Sequence, residues 1–197
     1  MKYKFAIACA LVLALTACGS APQNGGSASQ SPPAGAGSVS GAQSGSSGSE
    51  GALQAATLYI GMDGQFAEYP LELEEVTPET LLAAMSEQTG WNLDLADEIT
   101  SGKGGMTVTF AETSALFVGP PDPQKDEFRV YEAGQLDQTI LDSVQKTLQN
   151  WAVVPGLGDP DSVDVYFCGP DGDDLILENI GVTISHTEPY RGFPGQA

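Results

Sequence analysis

Apolar and polar positions alternate or repeat in patterns that predict strands and helices between residues 57 and 188. A hairpin is predicted around the turn Met62-Asp63-Gly64, with arms over residues 57–60 and 66–76. In residues 106–110 (MTVTF) apolar and polar residues alternate without exception, which is typical of a half-buried strand. Residues 163–168 and 175–180 flank an Asp-Gly turn and predict a second hairpin.

A first helix is predicted from its end signals. Thr77 is a suitable N-cap, Pro78 fits the first helical position, and Gly90 is a suitable C-terminal stop. Apolar residues fall on one face at Leu81, Leu82 and Met85. Residues 91–99 (WNLDLADEI) alternate with a period of two, although their acids are also compatible with a helical turn.

A second helix is predicted over residues 136–151. Its apolar stripe contains Ile140, Val144, Leu148 and Trp151, so Trp151 is predicted to lie in the core. The polar positions predicted to face solvent are Asp137, Asp142, Gln145, Lys146 and Gln149. Asp142 and Lys146 are four residues apart, in the order that favours an ion pair.

These elements predict an α+β fold: a single domain with a mixed or antiparallel sheet and two main helices packed on one face. A long connection is expected over residues 111–134. Residues 189–197 contain two prolines and two glycines and are predicted to form a flexible tail. The predicted domain therefore covers residues 57–188.

The N-terminal 17 residues have the features of an export signal. Two lysines precede an apolar segment over residues 5–17, which is too short for a membrane-spanning helix of about 20 residues. The sequence Leu15-Thr16-Ala17-Cys18 resembles the bacterial lipobox, and this resemblance implies cleavage before Cys18 and a diacylglyceryl group on its sulfur. Two acyl chains suffice for stable anchoring, whereas one does not. Secretion with an unmodified cysteine is the alternative.

Residues 18–56 are predicted to be a disordered linker. Of the 33 residues from Gly19 to Gly51, 19 are Gly or Ser and Glu50 carries the only charge. Such a segment cannot bury enough apolar surface to offset the entropy of ordering it. As a flexible chain it would hold the domain about 35 Å from the membrane on average.

The charge of the chain limits its partners. The formal net charge is −19, and removal of Lys2 and Lys4 with the signal would lower it to −21. This charge argues against nucleic acid as a partner and against a domain lying flat on an anionic bilayer. Solubility is one explanation of the charge, and a cationic partner is the other.

Several motifs resemble the GerMN-type domain, the sporulation and spore-germination domain. The match is carried by the strand Thr107–Phe110, the helix segment Ser143–Leu148 and the segment Val163–Gly172 with its glycine turn. The chain departs from that pattern in the proline-rich connection 111–134 and in the insertion PGLGDPD before residue 162. The resemblance implies an α+β assembly module outside the cytoplasmic membrane and transfers no catalytic residue.

Clustered aspartates are the first candidates for chemistry. They are Asp159, Asp161, Asp164, Asp171, Asp173 and Asp174. An EF-hand starting at Asp171 would have Leu175 at position 5, Ile176 at position 6 and Val182 at position 12, so the pattern fails. Turn formation is the simpler reason for Asp and Gly there. A weak surface calcium site is the alternative, and no metal or cofactor is predicted.

Other candidate residues also favour structural roles. His186 has no second histidine and is expected at the surface, while Cys168 has no nearby histidine and is expected to pack within a strand. The acids Glu72 and Glu74 alternate with leucines and are expected on the solvent face of a strand rather than as a hydrolase pair. No catalytic residue is therefore predicted, and the chain is not expected to be an enzyme.

Two functions from different classes fit the sequence. The first is a membrane-anchored interaction or assembly module at the extracytoplasmic face, with the bilayer contacted through acylated Cys18 and with protein partners in the envelope. The second is a tethered binder of peptidoglycan or another wall ligand, in which Trp91 or Trp151 would stack on sugar rings. An exposed aromatic cleft would favour the second function, and an uncovered sheet edge the first.

Overall fold

The computed structural model describes residues 52–102, 104–120 and 124–193. Cys18, the predicted signal peptide and all but the last few residues of the predicted linker lie outside the described residues. Within the described residues, no helix is both long and apolar enough to span a bilayer.

The described chain contains seven strands and three α-helices in a mixed order. The strands are β1 (Gln54–Met62), β2 (Gln65–Leu73), β3 (Thr100–Gly102), β4 (Gly105–Thr109), β5 (Asp164–Cys168), β6 (Leu175–Leu177) and β7 (Val182–Ile184). The helices are α1 (Pro78–Thr89), α2 (Ala115–Val118) and α3 (Ala133–Ala152), with single 3-10 turns at Asp126–Phe128 and Pro160–Ser162. The predicted α+β class, with α1 and α3 as its two main helices, is confirmed.

The first predicted hairpin is confirmed, and both of its arms are long. β1 pairs antiparallel with β2 over nine residue pairs, from Gln54 opposite Leu73 to Met62 opposite Gln65. The turn has positive φ at Asp63 (54°) and Gly64 (72°), as the tight two-residue hairpin turn requires. β1 begins at Gln54, so the folded part starts three residues before the predicted boundary.

The first helix is confirmed together with both of its end signals. Thr77 Oγ1 accepts the Thr80 N–H, and the Thr80 hydroxyl oxygen accepts the Thr77 N–H, which forms a reciprocal cap. Gly90 ends α1 with a positive φ of 82°. Leu81, Leu82 and Met85 are buried, as the apolar pattern predicts.

The remaining strands form two further sheets. In one of them β4 is central, antiparallel to β3 and parallel to β5, and in the other β6 pairs antiparallel with β7. The predicted hairpin of residues 163–168 with 175–180 is therefore wrong: only a single bridge joins Cys168 to Asp174. The chain turns away after Asp174, so that Leu175 and Leu177 are buried in the core and pair with β7.

Residues 91–99 form neither of the two predicted elements. Trp91 and Leu93 are buried and Asp94 is exposed, so the side chains alternate as in a strand. The backbone, however, makes only one bridge, between Leu95 and Phe110. The long connection after β4 is confirmed as mostly irregular, with α2 and the Asp126–Phe128 turn inside it.

Helix α3 lies along the outer edge of β1 and supplies it with hydrogen bonds. The N–H of Tyr59 donates to Thr147 Oγ1 at 3.0 Å, and the N–H of Gly61 donates to Ser143 Oγ at 3.0 Å. The same hydroxyl groups donate to the carbonyl oxygens of Gly61 (3.1 Å) and Tyr59 (3.4 Å). Side chains of a helix thus take the place of a neighbouring strand.

The polar side of α3 does not face solvent as predicted. Asp137, Asp142 and Gln149 are all buried, because further elements cover this side of the helix. Lys146 pairs with Asp161 at 3.1 Å instead of with Asp142. The prediction failed because an apolar stripe reveals one buried face and gives no sign of polar contacts on the others.

Tyr190 holds the C-terminal segment against α3. It is 2% exposed, its N–H donates to Val165 O at 2.8 Å, and its hydroxyl donates to Asp142 Oδ1 at 2.7 Å. Arg191 pairs with Asp164 at 2.7 Å. Contacts with the rest of the fold thus continue past residue 188, through Arg191 to Phe193, which packs against the core.

Asp137 is buried without a partner. Its side chain has no exposure, and neither carboxyl oxygen has a hydrogen-bond partner within the described structure. Desolvation raises the pKa of this carboxyl from 3.8 to about 7. The group is therefore protonated in the folded protein at mildly acidic pH, whereas it is ionised in the unfolded chain.

We expect Thr147→Val to destabilise the fold by about 1–3 kcal/mol, because the valine keeps the shape of threonine but leaves both backbone groups of Tyr59 without a partner. Thermal and urea unfolding measure the change. Thr183→Val on the exposed face of β7 is the matched control, with an expected change within about 0.5 kcal/mol. Equal effects of the two substitutions would contradict a role of Thr147 at the β1 edge.

The stability of the protein is expected to fall as pH rises through the range between 3.8 and about 7, because the folded state retains the Asp137 proton that the unfolded chain releases. The contribution approaches about 1.4 kcal/mol per pH unit. Asp137→Asn keeps the shape but does not titrate, so the difference in unfolding free energy between parent and variant should grow from pH 4 to pH 7 and then level off. A constant difference across this range would show that Asp137 is ionised in the folded state.

Candidate functional site

An open groove lies between the start of β1 and the end of α3. Its volume is about 540 Å³, and one wall is formed by Ala55, Ala56 and Thr57 of β1. The opposite wall is formed by the last turn of α3 and the loop that follows it, through residues 150–156 and Gly158. None of the residues that line the groove is charged.

Trp151 is the main aromatic side chain of this groove. It is 38% exposed, so its predicted place in the core is wrong. Its indole N–H donates to Val76 O at 3.3 Å, which fixes the orientation of the ring. The β1 residues that line the same groove include Ala55 and Ala56, whose side chains are small.

Further apolar side chains are exposed in the loop beyond Trp151. Val154 is 63% exposed and Leu157 is 83% exposed. The 3-10 turn after this loop begins with Pro160, which also lines the groove. An apolar surface of this kind at the mouth of a groove is typical of a binding site for another molecule.

A second groove, of about 490 Å³, runs along the polar side of α3, and its polar groups are already paired. The Asp142 carboxylate accepts from Tyr190 Oη and from the N–H of Asp63 (3.1 Å), and Asp63 Oδ1 accepts from Gln138 Nε2 at 2.6 Å. Burial and the neighbouring Asp142 carboxylate raise the pKa of Tyr190. This network is explained by its structural role, which is to hold the hairpin turn and the C-terminal segment on α3.

The three aspartates that precede or begin β5 have separate local partners. Asp159 Oδ1 accepts the N–H of Asp161 at 3.1 Å as a cap of the 3-10 turn, while Asp161 pairs with Lys146 and Asp164 with Arg191. Within the described residues, no three His, Cys, Asp or Glu side chains are grouped so that they could hold a metal ion. The structure thus offers no metal-binding geometry there.

His186 is bound to a single carboxylate oxygen. Its Nδ1 lies 2.6 Å from Asp174 Oδ1, and its backbone N–H donates to the same oxygen at 3.0 Å. These two contacts lower the pKa of Asp174. The pair joins the end of β7 to the loop before β6, and the side chain is 39% exposed, in agreement with the predicted surface position.

The lone thiol and the other tryptophan are both buried. Cys168 packs at the end of β5, as predicted, and burial raises the pKa of its thiol, so it is a poor nucleophile in the folded protein. Trp91 is 1% exposed and donates its indole N–H to Gln124 Oε1 at 3.1 Å, so it cannot stack on a sugar. Only Trp151 of the two predicted sugar-stacking candidates is accessible.

Gln124 was not identified from the sequence as an important residue. Besides the Trp91 indole, its side chain binds both backbone groups of Val130, with distances of 2.9 and 3.1 Å. This buried amide closes the loop around the 3-10 turn at Asp126–Phe128. No sequence signal distinguishes it from an exposed glutamine of a polar connection.

The structure places the carboxylates considered for hydrolysis at the surface. Glu72 and Glu74 are exposed on the hairpin, as predicted from their alternation with leucines. Asp137, whose raised pKa would suit a general acid, has no exposure to a substrate. The groove at Trp151 is therefore the feature of the described structure best suited to binding another molecule.

Comparisons with known proteins neither support nor contradict the GerMN-type resemblance. No protein-family model, curated protein or solved structure matches the chain significantly. The resemblance and the lipid anchor at Cys18 therefore stay predictions from the sequence.

Proposed function

We propose that this protein is an extracytoplasmic lipoprotein whose folded part acts as a non-catalytic interaction module. Acylated Cys18 would hold it at the cell membrane, and residues 18–53 would separate the anchor from β1. The GerMN-type resemblance supports a role in an envelope assembly of sporulation or spore germination. The proposal involves no cofactor.

The observation that carries the interaction role is the uncharged groove beside Trp151. A protein with net charge −19 exposes here an indole ring together with Val154, and Leu157 is exposed in the same loop. Exposed apolar surface next to a groove is stabilised when a partner covers it. The groove also contains an open edge of β1. Extended peptide segments can add to such an edge as a further strand.

The second candidate function is binding of a wall glycan, and the accessibility of Trp151 favours it. An exposed indole ring can stack on the apolar face of a sugar. A sugar site also needs polar groups that bind hydroxyls, and Asn150, one of the polar residues in the groove, already donates its amide N–H to Lys146 O at 2.8 Å. We therefore rank the protein partner first.

The anchor is tested by Cys18→Ser. We expect the variant to lose processing at residue 18 and to label no longer with a radioactive fatty acid, because only the thiol accepts the diacylglyceryl group. Gel mobility and metabolic labelling measure both effects. Cys9→Ser, within the predicted signal, is the matched control and should be processed and labelled as the parent is. Normal processing and labelling of Cys18→Ser would contradict the anchor.

The interaction role is tested with the mature protein solubilised from membranes. We expect cross-linking followed by affinity capture to recover a defined protein partner, and Trp151→Ala to lower the recovery about tenfold. Tyr131→Ala is the matched control, because Tyr131 is 79% exposed but lies outside the groove. Co-sedimentation with purified peptidoglycan is measured in parallel, and wall binding without a protein partner would replace the first candidate by the second.

A further inference from the structure

Helix α3 covers only part of the outer edge of β1. The outward N–H groups of Tyr59, Gly61 and Asp63 bind Thr147, Ser143 and Asp142, at 3.0, 3.0 and 3.1 Å. Successive outward groups of a strand are two residues apart, so the next two belong to Thr57 and Ala55. In the described part of the chain, no hydrogen bond reaches the outward groups of these two residues.

The pairing register confirms which way these groups point. Tyr59 lies opposite Glu68 and Thr57 opposite Pro70, two positions of the same type in the antiparallel ladder. Pro70 has no N–H to donate, which is compatible only with a position where the two strands exchange no hydrogen bond. The N–H and C=O of Thr57 therefore point away from β2 and into the groove.

Trp151 explains why the coverage stops at Tyr59. Ser143 and Thr147 are four residues apart on one face of α3, and Trp151 is the next residue at the same spacing. In place of a further hydroxyl group, α3 presents an indole ring there. The ring flanks the open edge without occupying it, so the strand edge and the apolar surface belong to one groove.

The charges around the groove favour a basic occupant. Its lining is uncharged, but Glu72 borders the adjoining cavity on the hairpin side, and Asp159 is exposed in the loop on the other side. Glu68 and Glu74 are also exposed on the hairpin. A second copy of this acidic chain would bring like charges together, whereas lysine or arginine side chains would face carboxylates.

We propose that this groove binds a basic, extended peptide segment of a partner protein, which adds to β1 as a third strand at Ala55 and Thr57. Backbone hydrogen bonds to the open edge hold the segment, alternate side chains contact Trp151, and its basic side chains face Glu72 and Asp159. The proposal rests on the interaction role proposed above and specifies the chemistry of the partner.

The test uses the full mature chain in detergent and a fluorescent heptapeptide of alternating lysine and valine as the probe. We expect saturable binding by fluorescence anisotropy. Thr57→Pro removes one outward N–H without removing a bond to β2, and it should weaken binding about tenfold, the equivalent of about 1.4 kcal/mol. Trp151→Ala should weaken binding by a similar factor, and Tyr131→Ala should leave it unchanged within about twofold.

Two control peptides separate pairing from charge. A peptide with proline in place of valine has the same charge but cannot form a strand, and a peptide with glutamate in place of lysine can form a strand but is repelled. Both should bind at least about tenfold more weakly than the probe. Equal binding of the proline peptide, or of the probe to a folded Thr57→Pro protein, would overturn the proposed strand addition. If Thr57→Pro does not fold, Ala55→Pro at the exposed start of β1 provides the same test.

Other outcomes distinguish this inference from the proposed function. Failure of the lysine peptide to bind, combined with Trp151-dependent capture of a partner, would overturn the strand addition and leave the interaction role in place. Self-association that Thr57→Pro abolishes, measured by sedimentation velocity, would assign the edge to a second copy and overturn the peptide proposal. If the peptide does not bind and no partner is captured, both the strand addition and the interaction role are overturned.

Discussion

Hydroxyl groups of α3 form hydrogen bonds with backbone groups on the outer edge of β1, and the position of the hairpin depends on this contact. A helix cannot pair its backbone with a strand, because its own amides are already bonded along the helix axis. Side chains four residues apart rise about 6 Å along a helix, and strand groups two residues apart are spaced by about 6.8 Å. This near match lets Ser143 and Thr147 meet Gly61 and Tyr59 in succession.

The same geometry produces the groove. The small difference between the two spacings, together with the exchange of a hydroxyl for the indole of Trp151, ends the coverage after Tyr59. Gly61 is required by the hairpin itself, because a β-carbon at this position would overlap the backbone oxygen of Gln65 in β2. Close contact at one end of β1 and an open edge at the other are thus two results of a single packing arrangement.

The central position of α3 explains why its polar residues are buried. It contacts β1, α1, α2 and β5, so that little of its surface is left to solvent. Asp142 compensates its burial with hydrogen bonds to Tyr190 and Asp63, whereas the burial of Asp137 raises the pKa of its carboxyl to about 7. A central helix with polar groups on several faces requires matched partners from distant parts of the chain, and these partners specify how the hairpin and the C-terminal segment pack.

The sequence by itself determined the α+β class, the first hairpin with its Asp-Gly turn, and the ends of α1, because local backbone angles and caps depend on neighbouring residues. It predicted α3 over residues 136–151, whereas the helix begins three residues earlier and ends one residue later, and it predicted neither the burial of Asp137 nor the exposure of Trp151. Only the tertiary structure decided that β6 pairs with β7 rather than with β5, and that Ala55 and Thr57 face an open groove. Those outcomes depend on which distant segments meet, and no local pattern carries that information.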